Sequence, residues 1–175
     1  MTTTTRWLSQ EEQRTWRLFL QACESVFAAT DAQLVRDSGL PHGYYEILVH
    51  LSEAPNRALR MTQLARASSY SKSRLSHAVA RLEERGWVQR RDCQTDRRGQ
   101  IAQLTDAGFA ALAAAAPGHV GQVRQSLFDG LTPEQVKQLG EISAAIIAAA
   151  AAAGQDCNGA DITLTSPSPG CLHAT

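Results

Sequence analysis

A set of hydroxyl side chains, cations and one histidine lies between residues 71 and 81 of this 175-residue chain. A helix predicted from Lys72 to about Arg85 would place Leu75, Val79 and Leu82 on one face and this polar set on the other. Hydroxyl and guanidinium groups on an exposed helix face match base edges and phosphates in the major groove of DNA. The polar set comprises Ser71, Lys72, Ser73, Arg74, Ser76, His77 and Arg81.

Different tasks are expected of different members of this polar set. Base contacts usually come from the N-terminal part of such a helix, so Ser73, Arg74 and His77 are predicted to contact bases. Lys72 and Arg81 are predicted to hold phosphates, which sets the position of the helix rather than its specificity.

Charge is distributed unevenly along a chain whose formal net charge is zero. Eleven Arg or Lys and four acids lie between Arg57 and Arg98, so this stretch carries +7 and the remainder −7. Such polarisation favours a polyanionic partner, and double-stranded DNA is the one that the polar helix face suits.

The elements around the polar helix predict a winged helix-turn-helix. A short helix, about Thr62 to Ala67, precedes a turn rich in serine, and the polar helix follows it. Strands are predicted at 87–90 and 101–104, joined by a charged loop at 91–99 to form a hairpin, the wing. Arg97 and Arg98 would enter a minor groove from the wing, with Asp96 supporting an arginine or the loop backbone.

Apolar helices flank this lobe, so the predicted fold is mainly α with a small β-hairpin wing and a helical dimerisation region. The predicted regions are a dimerisation helix at 9–37, the DNA-binding lobe at 40–105, dimerisation helices at 106–154 and a disordered tail at 155–175. The lobe begins with a helix at about His42 to Glu53, and Pro117-Gly118 should kink or interrupt the first C-terminal helix. The apolar stripes exceed what one winged domain covers, which predicts a homodimer.

Several classes of function are disfavoured by what the sequence lacks. No run of eighteen apolar residues and no signal peptide are found, so no membrane association and a cytoplasmic location are expected. Nucleophile elbow, phosphate-loop and metal-ligand spacings are missing, so neither an enzyme nor a metal or other cofactor is expected. A winged helix that binds a protein instead of DNA stays open as an alternative.

Four segments of the chain resemble the MarR (multiple antibiotic resistance regulator) family. They are Gln63-Leu64-Ala65, the run from Ser71 to Gly86, Asp96-Arg97-Arg98, and Leu104-Thr105-Asp106-Ala107-Gly108. The resemblance covers roughly residues 10–153. It implies a homodimer joined by the first and last two helices, with each lobe binding half of a palindromic operator. It also implies repression relieved by a small, often aromatic, ligand bound between the dimer helices and the lobe.

The resemblance suggests two sensor chemistries, each only partly matched. Urate-responsive members pair a first-helix Trp with a second-helix acid and two arginines; Trp16, Glu46 and Arg90 match three positions, whereas Ala78 occupies the fourth. With these three, the candidate ligand pocket also includes His42, Tyr44 and Tyr45.

Peroxide-sensing members hydrogen-bond a first-helix Cys to second-helix tyrosines. Tyr45 matches one of these, His42 replaces the other, and Cys23 lies about five residues late on its helix. A redox-sensing repressor that uses Cys23, or Cys93 on the wing, is therefore the alternative to ligand control.

Overall fold

A computed structural model describes residues 5–93 and 96–153 of the chain, and at 93 and 96–98 it describes backbone alone. The described part is mainly helical with one small antiparallel sheet, which confirms the predicted fold class. The predicted disordered tail at 155–175 lies outside the described residues. The elements are α1 (Gln10–Ser38), α2 (His42–Glu53), β1 (Ala58–Arg60), α3 (Met61–Ala67), α4 (Lys72–Glu84), β2 (Val88–Cys93), β3 (Asp96–Leu104), α5 (Asp106–Val123) and α6 (Pro133–Ala152).

Local capping chemistry sets the ends of α1, as its sequence predicts. At the start, the Glu12 backbone N–H donates to Ser9 Oγ at 3.1 Å, and the Ser9 N–H donates to Glu12 Oε2 at 2.7 Å. This reciprocal pair satisfies two N–H groups that no helical carbonyl can reach. At the other end Gly39 adopts a φ of +61°, a left-handed conformation that glycine adopts without steric cost.

The core lies where α2, α3 and α4 pack against the sheet. Leu48, Leu64, Val79 and Leu82 are completely buried there, together with Ile47, which the sequence analysis did not select. Burial of such side chains stabilises the fold by roughly 1.5–3 kcal/mol each. Because the core contains the inner face of α4, it also fixes the direction in which the outer face of that helix points.

The sheet is larger than the predicted hairpin. Strand β1 pairs antiparallel with β3, which also pairs with β2, so the order is β1-β3-β2. The prediction missed β1 because three residues are too few to show an alternating pattern. It was also wrong to assign most of 91–99 to a loop, since the strands extend to Cys93 and begin again at Asp96. Backbone pairing, which needs no apolar side chains, sustains these polar extensions.

Helix α5 continues through Pro117, so of the predicted kink or interruption at Pro117-Gly118 the interruption is wrong. A proline removes one helical hydrogen bond. Packing of α5 against α1 and α2 maintains the remaining ladder. A turn of π-helix, Arg124–Phe128, follows α5. Among the described helices, none is long and apolar enough to cross a membrane.

Helix α6 begins at a capping box between Thr132 and Gln135, but it buries none of its residues against the rest of the described chain. Its apolar residues are left largely exposed: Ile142 by 57% and Ile147 by 53% of their surface. Exposed apolar side chains also lie on α1, among them Phe19 and Phe27. No described residue of the chain covers the apolar surface that these faces form.

A tight junction joins the sheet to α5 at Thr105 and Gly108. Thr105 Oγ1 donates to the Gly86 carbonyl oxygen at 2.7 Å and accepts the Gly108 N–H at 3.0 Å, which caps α5. A Cβ at Gly108 would overlap the Trp87 carbonyl oxygen, so the helix start approaches the strand more closely than any side chain allows. In the Leu-Thr-x-x-Gly pattern at 104–108, the threonine thus caps α5 and the glycine allows the close backbone approach.

Replacing Gly108 with Ala should therefore destabilise the protein. The added methyl meets backbone, which cannot rotate away, so we expect the free energy of unfolding to fall by about 2 kcal/mol. Urea unfolding followed by circular dichroism at fixed protein concentration measures this change. Gly121→Ala is the matched control, because nothing lies within 4 Å of its Cβ position. Equal stability of the two variants would contradict the proposed close approach.

Candidate nucleic-acid interface

Helix α4 presents the predicted polar set to solvent while its other face is locked into the core. Ser71 caps the helix, its Oγ accepting the Arg74 N–H at 3.3 Å. The buried residues of α4 are Leu75, Ala78, Val79 and Leu82. Six members of the polar set are exposed and one, Ser76, is half-buried. The two faces thus separate as the sequence predicts.

Arg74 does not extend freely into solvent. Its guanidinium carbon lies 4.2 Å from the centre of the Tyr70 ring, in the turn before α4. A cation over an aromatic face is attracted by the electron-rich ring. The predicted base-contacting arginine therefore has a defined resting direction, which sequence analysis did not anticipate.

At the other end of α4, Arg81 is paired within its own helix. Its Nη1 donates to Glu84 Oε2 at 2.9 Å, and this bond raises the pKa of Arg81. Tyr44, one of the predicted pocket residues, lies nearby and lines a surface cleft of about 380 Å³ with Arg81 and Arg85. Tyr44, although it is a residue of α2, thus lies at the surface beside the C-terminal end of α4.

Arg90 ties the wing to α4. Its Nη2 donates to the Ser76 carbonyl oxygen at 2.7 Å, and its Nε lies 3.1 Å from Glu83 Oε2. Its backbone N–H also donates to Glu83 Oε1 at 2.9 Å. The guanidinium thus joins β2 to α4, whereas the family resemblance implies a place for Arg90 in a ligand pocket.

A second cleft, of about 320 Å³, separates α4 from α3 and β3. Lys72 lines it, together with Arg60 and Thr62 at the start of α3 and with Gly99 and Gln100 on the wing. Arg60 and Thr62 were not selected from the sequence, although Arg60 lies within the basic stretch that the charge count identified. The predicted wing roles of Cys93, Asp96, Arg97 and Arg98 concern side chains outside the described part of the structure.

A cluster of aromatic and imidazole rings lies where α1, α2 and α5 meet. The centre of the His119 ring is 4.5 Å from that of Tyr45 and 5.6 Å from that of His42, and Phe27 lies 6.1 Å from His42. Burial, followed by the neighbouring His42, lowers the pKa of His119, and burial raises the pKa of Tyr45. The His119 Nδ1 atom is buried, and none of the described residues forms a hydrogen bond with it.

Of the six predicted pocket residues, only His42 and Tyr45 meet in this ring cluster. Trp16 is 52% exposed beside Phe19 on α1, about 16 Å along the helix from Phe27. Glu46 faces His50, whose Nε2 is 3.8 Å away. His119 was missed because it lies 77 positions from His42 in the sequence. Within the described residues, no group of three or more His, Cys, Asp or Glu is arranged to hold a metal ion.

Comparison with known proteins identifies the family. A model of the MarR family matches residues 38–99, which contain α2 to α4 and most of the sheet. The structure of Sco3205, a MarR family transcriptional regulator from Streptomyces coelicolor in complex with DNA, superposes with a TM-score of 0.79. The two sequences are 53% identical over 83% of this chain and 91% of that one. The chain belongs to the MarR family.

Two further relatives agree with this MarR assignment. The structure of AbsC, a MarR family transcriptional regulator from Streptomyces coelicolor, superposes with a TM-score of 0.76. The two sequences are 40% identical, and the match covers 82% of this chain and 96% of that one. The HTH-type transcriptional repressor YetL of Bacillus subtilis (strain 168) is 31% identical over 59% of this chain. The match spans 64% of the YetL length, just under two thirds. These relatives are regulators and not enzymes, as the sequence analysis expected for this chain.

The lowered pKa of His119 predicts that acid destabilises the protein. The folded chain binds a proton on His119 less readily than the unfolded chain does. The free energy of unfolding is therefore at its full value above the ordinary His pKa of 6.5 and decreases as the pH falls below it. Melting temperatures measured from about pH 7.5 to about pH 5.5 should fall, and His119→Gln should reduce that fall. His77→Gln, which removes an exposed imidazole, is the control. An unchanged pH dependence in His119→Gln would contradict the role of burial.

Proposed function

We propose that the protein is a DNA-binding transcriptional repressor that binds its operator through α4 and the wing. The exposed polar face of α4 carries this proposal, because the core holds the opposite face and so aims the polar side chains outward. Two similarities support it: Sco3205 is in complex with DNA, and YetL is a transcriptional repressor. A protein-binding winged helix would not need the +7 charge that the stretch from Arg57 to Arg98 carries.

In this proposal, residues at the start of α4 enter the major groove. Ser73, Arg74 and His77 contact base edges, with Ser71 and Ser76 as shorter-range partners. Lys72 and Arg81 hold phosphates on either side, and Arg81 exchanges its bond to Glu84 for a phosphate oxygen. Arg97 and Arg98 enter the adjoining minor groove, and Asp96 supports the wing.

The DNA-binding unit is proposed to be a homodimer on a palindromic operator. Regions 9–37 and 106–154 form the dimerisation part, and 40–105 forms the lobe. The exposed apolar residues of α1 and α6 support this division, because an isolated chain would leave them in contact with water. Two lobes related by a twofold axis would bind half-sites about one helical turn of DNA, roughly 34 Å, apart.

The ring cluster at Phe27, His42, Tyr45 and His119 is the proposed effector site. Aromatic faces and an unpartnered buried imidazole nitrogen suit a small aromatic ligand that carries a hydrogen-bond donor. The cluster joins α2 of the lobe to α1 and α5, so a ligand there would favour one arrangement of lobe and dimer helices over another. Release of the operator would follow if the favoured arrangement no longer matches the half-site spacing.

Redox control is the alternative to this ligand response. Cys23 on α1 is a half-buried free thiol, and within the described residues no hydrogen bond or ion pair engages it. The side chain of Cys93 lies outside the described part of the structure. We favour ligand control of the two, because the ring cluster offers aromatic faces and a buried imidazole nitrogen to an effector.

Arg74→Ala tests the DNA-binding proposal. The operator is first selected with the wild-type protein from a random duplex library, and affinities are then measured by fluorescence anisotropy. Losing one base-contacting arginine from each half-site should weaken operator binding at least about tenfold and relax specificity at one base position. Lys137→Ala, which removes an exposed cation from α6, should change the affinity by less than about twofold. The proposal is wrong if no sequence is enriched or if Arg74→Ala binds the operator like the wild type.

Ile146→Glu tests the dimer. Two copies of a charge placed in an apolar interface should raise the dimer dissociation constant by about a hundredfold, as measured by analytical ultracentrifugation over a dilution series. Ala148→Glu is the matched control, because Ala148 lies on the same face of α6 as Lys137 and Glu141. A wild-type protein that is monomeric throughout, or equal effects of the two substitutions, would contradict the proposed interface.

A further inference from the structure

Tyr70 occupies the turn between α3 and α4 and contacts elements on both sides of it. Its backbone N–H donates to the Ala65 carbonyl oxygen at 3.0 Å, and its half-buried side chain packs against the core. The residue before it, Ser69, has a φ of +52°, a left-handed conformation that reverses the chain direction. The backbone of Tyr70 is therefore held from the α3 side.

The ring of Tyr70 lies beneath Arg74. The 4.2 Å separation between the guanidinium carbon and the ring centre places the cation on the ring face. Arg74 is the longest of the three side chains proposed to contact bases, and a long side chain loses conformational freedom when it binds. A ring that already holds the guanidinium reduces that loss.

The hydroxyl end of the same ring lies against α2. A Cβ at Gly43 would overlap Tyr70 Oη, whereas the ring carbon Cζ would be 3.0 Å away and Cε1 3.8 Å away. The Tyr70 hydroxyl group therefore lies directly against Gly43. A side chain at position 43 would overlap mainly with that one oxygen. The absence of a side chain at position 43 lets the ring reach its place below Arg74.

Gly43 also belongs to the first turn of α2, which enters the ring cluster. It directly follows His42 and lies two residues before Tyr45, both of which contact His119 on α5. The contacts His119–His42, Gly43–Tyr70 and Tyr70–Arg74 therefore form a continuous path from the ring cluster to the DNA-binding face of α4.

We propose that Tyr70 is a positioning residue that holds Arg74 for base contact and makes its direction depend on the first turn of α2. The proposal rests on the proposed function as a DNA-binding repressor. A displacement of α2 at Gly43 moves the Tyr70 hydroxyl, and the ring carries the guanidinium with it. The DNA-contacting arginine thereby responds to the element that forms the ring cluster.

A rescue experiment tests the contact between Gly43 and Tyr70. Gly43→Ala should displace the ring and weaken operator binding by about fivefold, as loss of the ring–guanidinium contact would. Tyr70→Phe keeps the ring and should stay within about twofold of wild type. The double variant Gly43→Ala/Tyr70→Phe should return to within about twofold, because the oxygen that meets the new methyl is gone.

A second variant separates positioning from mere structural support. Tyr70→Leu retains apolar bulk but lacks a ring face, so it should weaken operator binding about fivefold and relax specificity at the base position that Arg74→Ala identifies. Binding to a random duplex should be unchanged, since it depends on phosphate contacts.

The outcomes distinguish the two proposals. If the wild-type protein selects no operator, both the proposed function and the proposed role of Tyr70 are wrong. If the wild type binds but the double variant is as weak as Gly43→Ala, the link through Tyr70 is wrong. A Tyr70→Leu variant that binds the operator like the wild type overturns the proposal, as does one that loses operator and random duplex equally.

Discussion

The burial of one face of α4 is the constraint on which the rest of the molecule depends. Leu75, Val79 and Leu82 are almost or completely inaccessible to solvent, held by α2, α3 and the sheet. Rotating the helix would expose apolar surface at about 25 cal/mol per Å², so its orientation is strongly determined. The polar side chains on its outer face are aimed by the packing of residues that make no proposed contact with DNA.

Polar contacts then attach the neighbouring elements to this helix. Arg90 bonds to Ser76 and Glu83, so the base of the wing follows any movement of α4. Thr105 caps α5 while binding the strand that leaves α4, which links the lobe to a helix of the proposed dimer region. Each contact is short, and together they connect α4 to the wing and to the start of α5.

Helix α6 contrasts with α4, because its apolar face is not packed against the described part of the chain. Helix α6 is well capped, but within the described part of the chain none of its residues is buried and its isoleucines are exposed. Tertiary packing, more than intrinsic propensity, stabilises most helices in proteins, so an unpacked apolar helix of 20 residues calls for a partner surface. The ring cluster joins α2 of the lobe to α1 and α5, so a movement of α2 relative to those two helices would change its shape.

Local chemistry in the sequence determined the ends of most helices, the two faces of α4 and the MarR family motifs. Caps such as Ser9 and Thr132 and the left-handed Gly39 act within a few residues, so their effect can be predicted from spacing alone. Only the tertiary structure decided which distant residues meet: β1 with β3, His42 with His119, Gly43 with Tyr70. These pairs are 27 to 77 positions apart, and no periodic pattern encodes them. Their meeting follows from how the core orients whole elements, which is settled by packing across the fold.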